Sequence, residues 1–563
     1  MMDRSISALR TLRPDVDNQI FWFRDDLHQP YPISPMGMTT IQKHHAWGYH
    51  VASDQTQLPA SKGAYVKLHQ GRVYLGFTLI DDEEEVARRA EVFGKLLEHC
   101  KDCWDDYYRR YIDEIVANIN ALEVDKADNL STPELLGHLK KSEQMNRRAW
   151  EIHFILMYPA DGLYLAFEAY CKGLGLEETE MVAMLKGCDG MPARTDEELW
   201  TLARLAQERG LRETFANTPA DSLLRTLAAK PEARGWLEQL DTFLGVYGNR
   251  ISAAHLDVMF PTWKEEPTPV LETIKSYFQR MDDGWDLFEV RDEVARQRER
   301  AIEACVRKLP EHDRAEFERF LKAAQRIYAY QEDHGFYIDQ GCTAALHDSL
   351  MACGRRLEKS GLLERSDDVF FLTFSELVEI LGDLALDEKI GAYHYQVLVP
   401  PLVEERKKDW EKARGLGAPL TIGKVPETMT DPIAIKVFGV VDEVLHPKAE
   451  NVIVERIEGF PGAPGKAEGP ARVITRFEDF PTLQSGEILV CPYTGTAWTP
   501  LFLKIEGVVT DTGGMLTHAA IAAREYGIAA VVGTWKATRS IRNGDIIRVD
   551  GDAGIVEIIK RAV

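Results

Sequence analysis

The chain has 563 residues and carries 67 Lys plus Arg against 90 Asp plus Glu, which gives a formal net charge of −23. A chain of this length can bury more than one large core, and it predicts roughly two to four domains. The negative charge opposes general attraction to nucleic acid or to an anionic membrane surface. Because the N-terminus lacks an apolar stretch of signal-peptide length and no run of about 18 apolar residues occurs, we expect a soluble cytoplasmic protein.

The eight cysteines are scattered along the chain rather than arranged as a disulfide framework. In a long cytoplasmic chain this distribution predicts buried, reduced thiols. Cys100 and Cys103 form one CxxC motif beside His99, but no second pair follows at the spacing of a metal site. The sequence therefore predicts no metal site in this chain.

Amphipathic helices are predicted over most of the chain before residue 410. From Asp81 to about Leu122, apolar residues recur at spacings of three and four with charged residues between them, which is the helical period. The same pattern predicts helices from Pro133 to Leu174, from Asp196 to Ala228, from Pro269 to Leu309 and from Asp313 to about Gln340. One exception is the segment AYVKLHQGRVYLGF, where β-branched and aromatic residues on both sides of Gly71 predict a hairpin.

The pattern changes toward the end of the chain. Between about Ala413 and Glu450, helix-breaking Gly and Pro without a helical period predict a linker or hinge. After Gly462, strands are predicted for the short runs ARVITR, GEILVCPY, GVVTD, AAVVGT and DIIRVD, which Gly, Asp and Thr separate. Two helices are predicted between these strands, TPLFLKIE near Thr499 and THAAIAAREYG from Thr517. Together these elements predict a compact β-rich α/β domain.

His518 lies in the first turn of the second of these helices, directly after a strand and a Gly513–Gly514 turn. A helix N-terminus exposes unpaired N–H groups and a partial positive charge, so it can stabilise a phosphoryl anion attached there. Neutral imidazole is nucleophilic near pH 7, and the two glycines allow close approach of a phosphoryl donor. The pattern therefore favours His518 as the carrier of a covalent phosphoryl group. Its predicted phosphate contacts are Thr512, Gly513, Gly514, Thr517 and Arg524.

The end of the chain resembles the phosphohistidine, or mobile, domain of the phosphoenolpyruvate-utilising enzyme family. The matching segments are GAPGKAEGPARV, GEILVCPYTGTAWTPLF, GVVTDTGGMLTHAAIAAREYGIAAVVGT and GDIIRVDGDAGIVEI. The resemblance implies a swivelling β/β/α domain whose histidine, His518 here, is phosphorylated at one site and carried to another. Such a movement fits the Gly- and Pro-rich connection that precedes the domain.

The helical part resembles, more loosely, the acceptor-binding part of the rifampicin phosphotransferases of this family. The segments that carry this resemblance are FWFRDDLHQPYPISPMG, YGNRISAAHLDVMFPTWKEEPTPVLETI and GLLERSDDVFFLTFSELVEIL. The whole arrangement also resembles the large subunit of phenylphosphate synthases and related 4-alkylphenol-phosphorylating enzymes, in which ATP binds to a separate chain. We therefore expect a mainly helical acceptor-binding domain over 1–412, a linker or hinge over 413–455 and the swivelling phosphohistidine domain over 456–563.

The resemblance also implies the donor and the products. The helical part lacks the Gly-rich cover and metal-binding carboxylates of the family's ATP-grasp domain, so we expect ATP and Mg²⁺ on a separate ATP-grasp partner chain. Since the sequence ends at Val563 without the large barrel of members that use phosphoenolpyruvate or pyruvate, phosphoenolpyruvate is not the expected partner substrate. The expected reaction phosphorylates His518, releases AMP and phosphate, and passes the phosphoryl group to the hydroxyl of a phenol or related aromatic acceptor.

An acceptor phenol, with a pKa of about 10, calls for a base, and Arg or Lys can stabilise the phosphoryl oxygens. His28, within RDDLHQPYP, is the first choice for acceptor activation. Arg250 is the candidate phosphate or carboxylate clamp, because a guanidinium can bind two oxygens at once. A structural histidine and a helix-stabilising ion pair are equally consistent interpretations of these two residues. The other predicted acceptor contacts are Trp22, Arg24, His44, His45 and His153.

Two other functions are consistent with the sequence. An antibiotic-inactivating phosphotransferase would use the same carrier with a roomier acceptor pocket, although Asn249 stands where those enzymes tend to have His. A regulatory or binding protein would report nucleotide state through His518 and would have no small acceptor. Product analysis with simple phenols and macrocyclic antibiotics separates the antibiotic phosphotransferase from the phenol phosphotransferase. Retention of the phosphoryl label in the presence of both compounds identifies the regulatory protein.

Overall fold

The computed structural model describes residues 17–251, 256–446 and 455–562. The predicted order, a mainly helical part followed by a β-rich part, is confirmed. The described chain forms two compact units, the first from 17–162, 256–260 and 337–428 and the second from 163–251, 261–336, 429–446 and 455–562. These units interleave along the chain, whereas the predicted boundaries at 412 and 456 divide it consecutively. Those boundaries stay a prediction.

Helices account for most of the first unit. Some begin where a polar side chain caps the free N–H groups, as at Asp82, whose carboxylate accepts from the N–H groups of Glu84 and Glu85. The helices wholly within this unit are Pro35–Thr39, Ile41–Thr56, Glu83–Asn120, Gly341–Lys359, Phe374–Leu386, Glu388–Tyr395 and Val399–Arg414. The 3₁₀ helices Val124–Asn129 and Ser366–Phe371 accompany them. The helix Thr132–Gly173 and the π-helical turn Gly335–Gln340 contribute residues to both units.

The second unit has shorter helices than the periodicity suggested. The single helix predicted from Asp196 to Ala228 is three helices, because Gly210 and Pro219 interrupt it. The helices of this unit are Glu178–Ala183, Met191–Glu208, Arg212–Asn217, Ala220–Ala228, Arg234–Tyr247, Thr268–Asp282, Leu287–Lys308, Glu311–His334, Pro432–Lys436, Asp442–Leu445, His518–Tyr526 and Ala537–Ser540, with 3₁₀ helices Pro231–Ala233, Phe477–Thr482 and Thr496–Leu503.

Among the helices at described positions, none has the length and apolar character needed to cross a bilayer.

A four-stranded antiparallel sheet belongs to the first unit. Its strands are β1 (Phe21–Arg24), β2 (Ser61–His69), β3 (Arg72–Leu79) and β4 (Thr421–Gly423), in the order β2-β3-β1-β4. The predicted hairpin is confirmed as β2 and β3, and Gly71 takes the positive φ of 77° that its turn requires. Strand β4 lies in the segment predicted as a linker, and it pairs with β1 from the start of the chain.

The linker or hinge prediction over 413–455 stays a prediction, although its described residues include regular elements. Besides β4, the segment forms the short helices Pro432–Lys436 and Asp442–Leu445. Its Gly and Pro residues end elements rather than leaving the chain without structure, and short elements are too brief to show a period. The residues 447–454 of that prediction lie outside the described residues.

An eight-stranded sheet forms the β-rich part of the second unit. Its strands are β5 (Arg456–Glu458), β6 (Phe460–Ala463), β7 (Lys466–Val473), β8 (Glu487–Cys491), β9 (Ile505–Thr510), β10 (Ala529–Val532), β11 (Ile546–Asp550) and β12 (Ile555–Lys560), in the order β5-β12-β11-β7-β8-β9-β10-β6. Strands β7, β8, β9 and β10 are parallel. The predicted strands are confirmed, but TPLFLKIE forms the 3₁₀ helix Thr496–Leu503 rather than an α-helix.

Both faces of this sheet are buried. Successive side chains of a strand point to opposite faces, so Ile488 and Val490 join one hydrophobic cluster and Leu489 and Cys491 join another. The helix His518–Tyr526 follows β9 and precedes β10, its parallel neighbour. His518 therefore lies beyond the carboxyl end of a parallel strand, which is where ligands commonly bind in such sheets.

A buried ion pair in the first unit stabilises the packing of the helix Val399–Arg414. Arg406 donates from Nη1 to Glu376 Oε2 at 2.7 Å and from Nη2 to Oε1 at 2.9 Å, with side chains only 4% and 5% exposed. The same guanidinium donates to the carbonyl of Phe371 at 2.9 Å. Removing one member of such a pair leaves an uncompensated charge away from water.

We expect Glu376→Gln to lower the free energy of unfolding by about 3 kcal/mol or more, because Arg406 then lacks its counter-charge. Urea denaturation followed by circular dichroism measures this loss. Glu303→Gln is the matched control, since Glu303 binds Arg307 at the surface and exposed pairs contribute less than about 1 kcal/mol. Equal losses in the two variants would contradict a special role for the buried pair.

Candidate functional site

His518 is the first residue of its helix, as the sequence predicted, and Gly527 ends that helix in the left-handed region. Thr517 occupies the N-cap position, but its side chain does not cap the helix. Its hydroxyl instead donates to the carbonyl of Gly514 at 2.8 Å. Thr517 thus stands at the N-cap position while its hydroxyl binds the preceding turn, and its predicted phosphate contact stays a prediction.

The Gly513–Gly514 turn makes a close backbone contact. Gly513 has a φ of +95°, and a Cβ on Gly514 would lie 2.1 Å from the carbonyl oxygen of Lys436. The Gly514 N–H donates to the Val437 carbonyl at 3.2 Å, and the N–H and hydroxyl of Thr512 both donate to the Pro492 carbonyl at 2.9 Å. The glycines thus admit neighbouring backbone, and the predicted phosphate contacts of this turn stay a prediction.

Arg524 is buried and holds the helix His518–Tyr526 in place. Its guanidinium donates to the Tyr328 hydroxyl at 3.0 Å and to the carbonyls of Gly462 and Met515 at 2.5 and 2.8 Å. These partners tie the helix to strand β6, to the turn that precedes the helix and to the helix Glu311–His334. The contacts account for Arg524 as a structural residue, and its phosphate-binding role stays a prediction.

A recess opens beside His518 within the second unit. Its walls are largely apolar, and its polar groups include the carboxyl of Asp196 and the guanidinium of Arg291. The apolar walls come from Pro192, Leu287, Val290, Tyr328, Ile521 and Tyr526. An apolar pocket with a few convergent polar groups is the usual form of a small-molecule site.

Asp196 is the most perturbed carboxyl group of this recess. It is only 6% exposed, and it accepts a hydrogen bond from the hydroxyl of Tyr526. Burial raises the pKa of Asp196 to about 6, against the lowering influence of the Tyr526 hydrogen bond and of the positive charges of Arg250, Arg291 and His518. A carboxyl group with a pKa near neutrality can both hold and release a proton at physiological pH.

Arg250, predicted as a clamp, lies near Asp196 in the same unit. It is 2% exposed and donates from Nη2 to the Thr195 hydroxyl at 2.7 Å. Its guanidinium carbon lies 5.2 Å from the ring centre of Trp263 and 5.7 Å from that of Phe336. The structure therefore brings Arg250 and His518 into the electrostatic surroundings of one carboxyl group, although their sequence positions are far apart.

His28 belongs to the first unit, where it binds Asp25. Its Nδ1 lies 2.9 and 3.0 Å from the two carboxylate oxygens of Asp25, which are fully buried. The Asp25 charge and this hydrogen bond outweigh burial and raise the pKa of His28, and the same contacts lower the pKa of Asp25. A carboxylate that fixes one ring nitrogen of an imidazole is the usual support of a general base.

His45 lies close to this pair and is held neutral. Its ring is 6.2 Å from that of His28 and within about 5 Å of the rings of Tyr49, Trp150 and Phe154. Among the described residues, nothing hydrogen-bonds to its buried Nδ1. Burial, together with the positive charge of His28, lowers the pKa of His45 to about 3.

The other predicted acceptor contacts have partners inside the first unit. His44 places its two ring nitrogens 2.9 Å from Asn146 and Glu143, and His153 lies 2.9 Å from Asp339. Arg24 donates to Asp26 and to the carbonyl of Ala418. Trp22 is 5% exposed and packs with Tyr74 and Ile422 in a small core. Trp22 is thus a core residue of the sheet.

Sequence reasoning missed Asp196, Tyr526 and Asp25. Asp25 precedes His28 by three residues, a spacing that could have suggested the pair. Asp196 had no such signal, because an acidic residue near a helix start is most often a response to the helix dipole. Only the folded chain places Asp196 beside His518.

Two regions match known protein families. Residues 131–332 match the rifampicin phosphotransferase fourth domain, and residues 483–554 match the PEP-utilising enzyme mobile domain. Asp196 and Arg250 fall within the first match, and His518 falls within the second. The recess beside His518 is therefore built from residues of both matched regions.

Several individual proteins are similar to this chain over longer stretches than the two family matches cover. The chain is 30% identical over 563 residues to chondramide synthase cmdD of Chondromyces crocatus, covering 96% of this chain and 14% of that protein. It is 27% identical over 557 residues to the uncharacterized phosphotransferase YvkC of Bacillus subtilis (strain 168), covering 97% of this chain and 63% of that protein. It is 30% identical over 351 residues to the rifampicin phosphotransferase of Streptomyces sviceus, covering 62% of this chain and 37% of that protein. The chain thus spans less than two thirds of each relative.

We expect His45→Phe to reduce the acid sensitivity of the fold. The unfolded chain binds a proton at His45 below about pH 6.5, whereas the folded chain does so only near pH 3. Between these two pH values, the free energy of unfolding therefore falls by about 1.4 kcal/mol for each unit by which the pH is lowered. Urea denaturation between pH 7 and pH 4 measures the slope. The control is His312→Phe, whose side chain is 81% exposed. An unchanged slope in His45→Phe would contradict the lowered pKa.

Proposed function

Because the chain belongs to the phosphoenolpyruvate-utilising enzyme family and resembles rifampicin phosphotransferase, we propose that it is a phosphotransferase that carries a phosphoryl group on His518. The observation that carries this proposal is the position of His518, at the first turn of a helix and at the edge of a recess, within the match to the mobile domain. A helix N-terminus favours an added anion, and an adjacent recess gives a second reactant access to the ring.

The carrier step is an attack by a ring nitrogen of His518 on the phosphorus of a donor. The imidazole must be neutral to attack, and the phosphorylated ring leaves as imidazole in the second step. Two easier displacements thus replace one direct transfer. Arg250 is the proposed clamp for the phosphoryl oxygens, and its place near Asp196 in the unit of His518 supports this role.

The proposed donor is ATP with Mg²⁺, bound on a separate ATP-grasp partner chain, with AMP and phosphate as products. This proposal rests on the sequence, in which the helical part offers no Gly-rich phosphate cover with metal-binding carboxylates. Copurification of the partner, followed by an assay of AMP formation across a panel of phenols, tests the donor and the partner together.

The proposed acceptor is the hydroxyl of a phenol or related aromatic compound, which would give an aryl phosphate. The apolar walls of the recess beside His518 suit a ring, and its polar groups suit a hydroxyl. Activation of the acceptor by His28 stays a prediction, which the Asp25 contact supports by fixing the imidazole. Trp22, Arg24, His44, His45 and His153 stay predicted contacts with less support, because the structure gives most of them internal partners.

A second candidate is an antibiotic phosphotransferase. The specific observation in its favour is the similarity to rifampicin phosphotransferase over 351 residues, which exceeds the length of the carrier domain. Incubation of the phosphorylated protein with phenol and with rifampicin in parallel separates the two candidates by their products. A label that survives both compounds would instead favour a regulatory phosphohistidine protein.

We expect His518→Ala to abolish phosphorylation of the protein, because the nucleophilic nitrogen is lost. The full chain is incubated with phosphoramidate, a small donor that phosphorylates imidazole, and separately with ATP and the copurified partner. Mass spectrometry under neutral conditions that preserve phosphohistidine locates the modification. His312→Ala, at an exposed imidazole, should keep the label. A stoichiometric phosphoryl label on another residue of the His518→Ala variant would contradict the proposal.

A further inference from the structure

Asp196 and His518 come from different elements and share one recess. Asp196 lies on the helix Met191–Glu208, and His518 begins the helix His518–Tyr526. Both residues line the recess, and a positive charge on the His518 imidazole would lower the pKa of the Asp196 carboxyl. The recess therefore combines a phosphoryl carrier, an ionisable carboxyl group and apolar walls within one compact unit.

The Asp196 carboxyl is held by a group on the carrier helix itself. The Tyr526 hydroxyl donates to Asp196 Oδ2, and Tyr526 is the last residue of the helix that His518 begins. This bond occupies Oδ2 of a carboxyl group that lines the recess together with His518. The charged and titratable groups around Asp196, from each packed element, are Glu197, Arg250, Tyr277, Arg291, His518, Glu525 and Tyr526.

We propose that Asp196 is the general base that accepts the hydroxyl proton of the acceptor, and that the recess beside His518 is the binding site of a small apolar alcohol or phenol. This inference rests on the proposed function and deepens it. It assigns to Asp196 the role that sequence reasoning gave to His28. The change follows from position, since Asp196 shares the recess of the phosphoryl carrier.

The transfer step balances with these groups alone. The acceptor oxygen forms a bond to phosphorus as its proton passes to the Asp196 carboxylate. The bond between phosphorus and the His518 ring nitrogen breaks, and its electron pair returns to the ring. Because the second ring nitrogen is protonated in the phosphorylated form, the ring leaves as neutral imidazole. The products are a phosphate ester, neutral His518 and protonated Asp196, whose proton then passes to solvent.

The chemistry of the recess selects the acceptor class. Pro192, Leu287, Val290 and Ile521 offer apolar surface and no hydrogen bonds, so a polyhydroxylated sugar would lose its water contacts there. A single hydroxyl on an apolar body can place its oxygen between Asp196 and His518. Burial raises the pKa of Asp196 to about 6, so its carboxylate predominates above that pH and is a stronger base than an ordinary aspartate.

The test uses the full chain phosphorylated on His518 with phosphoramidate and then freed of the donor. Phenol is added, and the phosphorylated protein and phenyl phosphate are followed in a single turnover. We expect Asp196→Asn to keep the stoichiometry of the label and to lower the rate of transfer about 100-fold or more, because a positioned base contributes at least that factor. Asp221→Asn, at an exposed carboxyl, is the control and should transfer at the wild-type rate.

The dependence on pH separates a base from a structural residue. Wild-type transfer should rise about tenfold per pH unit up to the pKa of Asp196, which burial raises above its ordinary value, and then level off, because only the carboxylate accepts a proton. Asp196→Asn should lose this dependence. Tyr526→Phe should move the wild-type inflection upward by about one pH unit, because a donor to the carboxylate is lost. Hydrolysis without phenol, measured at each pH, is subtracted.

Three results would overturn the inference, and each differs from failure of the proposed function. The first is wild-type phosphoprotein that gives no label to phenol or 4-methylphenol. The second is unchanged transfer and pH dependence in Asp196→Asn, and the third is loss of transfer in His28→Ala while Asp196→Asn retains it. Absence of phosphohistidine in the wild-type protein would overturn the proposed function together with this inference.

Discussion

The position of His518 depends on one close approach between backbone segments. The carbonyl of Lys436 lies where a Cβ on Gly514 would stand, at 2.1 Å, so only glycine allows this contact. Across it, the N–H groups of Gly514 and Leu516 donate to the carbonyls of Val437 and Lys436. The turn is thereby fixed immediately before the helix that His518 begins. The start of the helix is held by this backbone contact rather than by a side-chain cap.

Two buried aspartates show how partners decide the charge of a group. Asp25 has an imidazole against both carboxylate oxygens, so its pKa falls although burial alone would raise it. Asp196 has a neutral hydroxyl as its hydrogen-bond partner and only more distant positive charges, so burial dominates and its pKa rises. A carboxyl group paired with a cation keeps its charge, whereas one paired with a phenol can exchange a proton near neutral pH. The second arrangement is the one that acid–base chemistry requires.

The sequence predicted the strands around His518 and the helix that His518 begins, because their periods and glycines are local signals. It did not predict β1 or β4, since each is short and is stabilised only by its pairing with a distant segment. Arg524 looked like a phosphate contact, yet its partners Tyr328, Gly462 and Met515 are known only from the folded chain. Asp196 is the clearest case of a candidate site residue that the sequence could not identify. Its neighbours in sequence mark only the start of a helix, whereas the recess that it lines also contains His518.

The helix His518–Tyr526 links the carrier to the proposed base. His518 begins this helix and Tyr526 ends it, and because a helix of this length is rigid, the imidazole and the phenolic hydroxyl move together. While this helix lies beside the recess, the Tyr526 hydroxyl donates to Asp196 and favours its carboxylate form, which partly offsets the effect of burial. The same helix therefore brings the proposed carrier to the recess and supplies the donor that helps to ionise the proposed base.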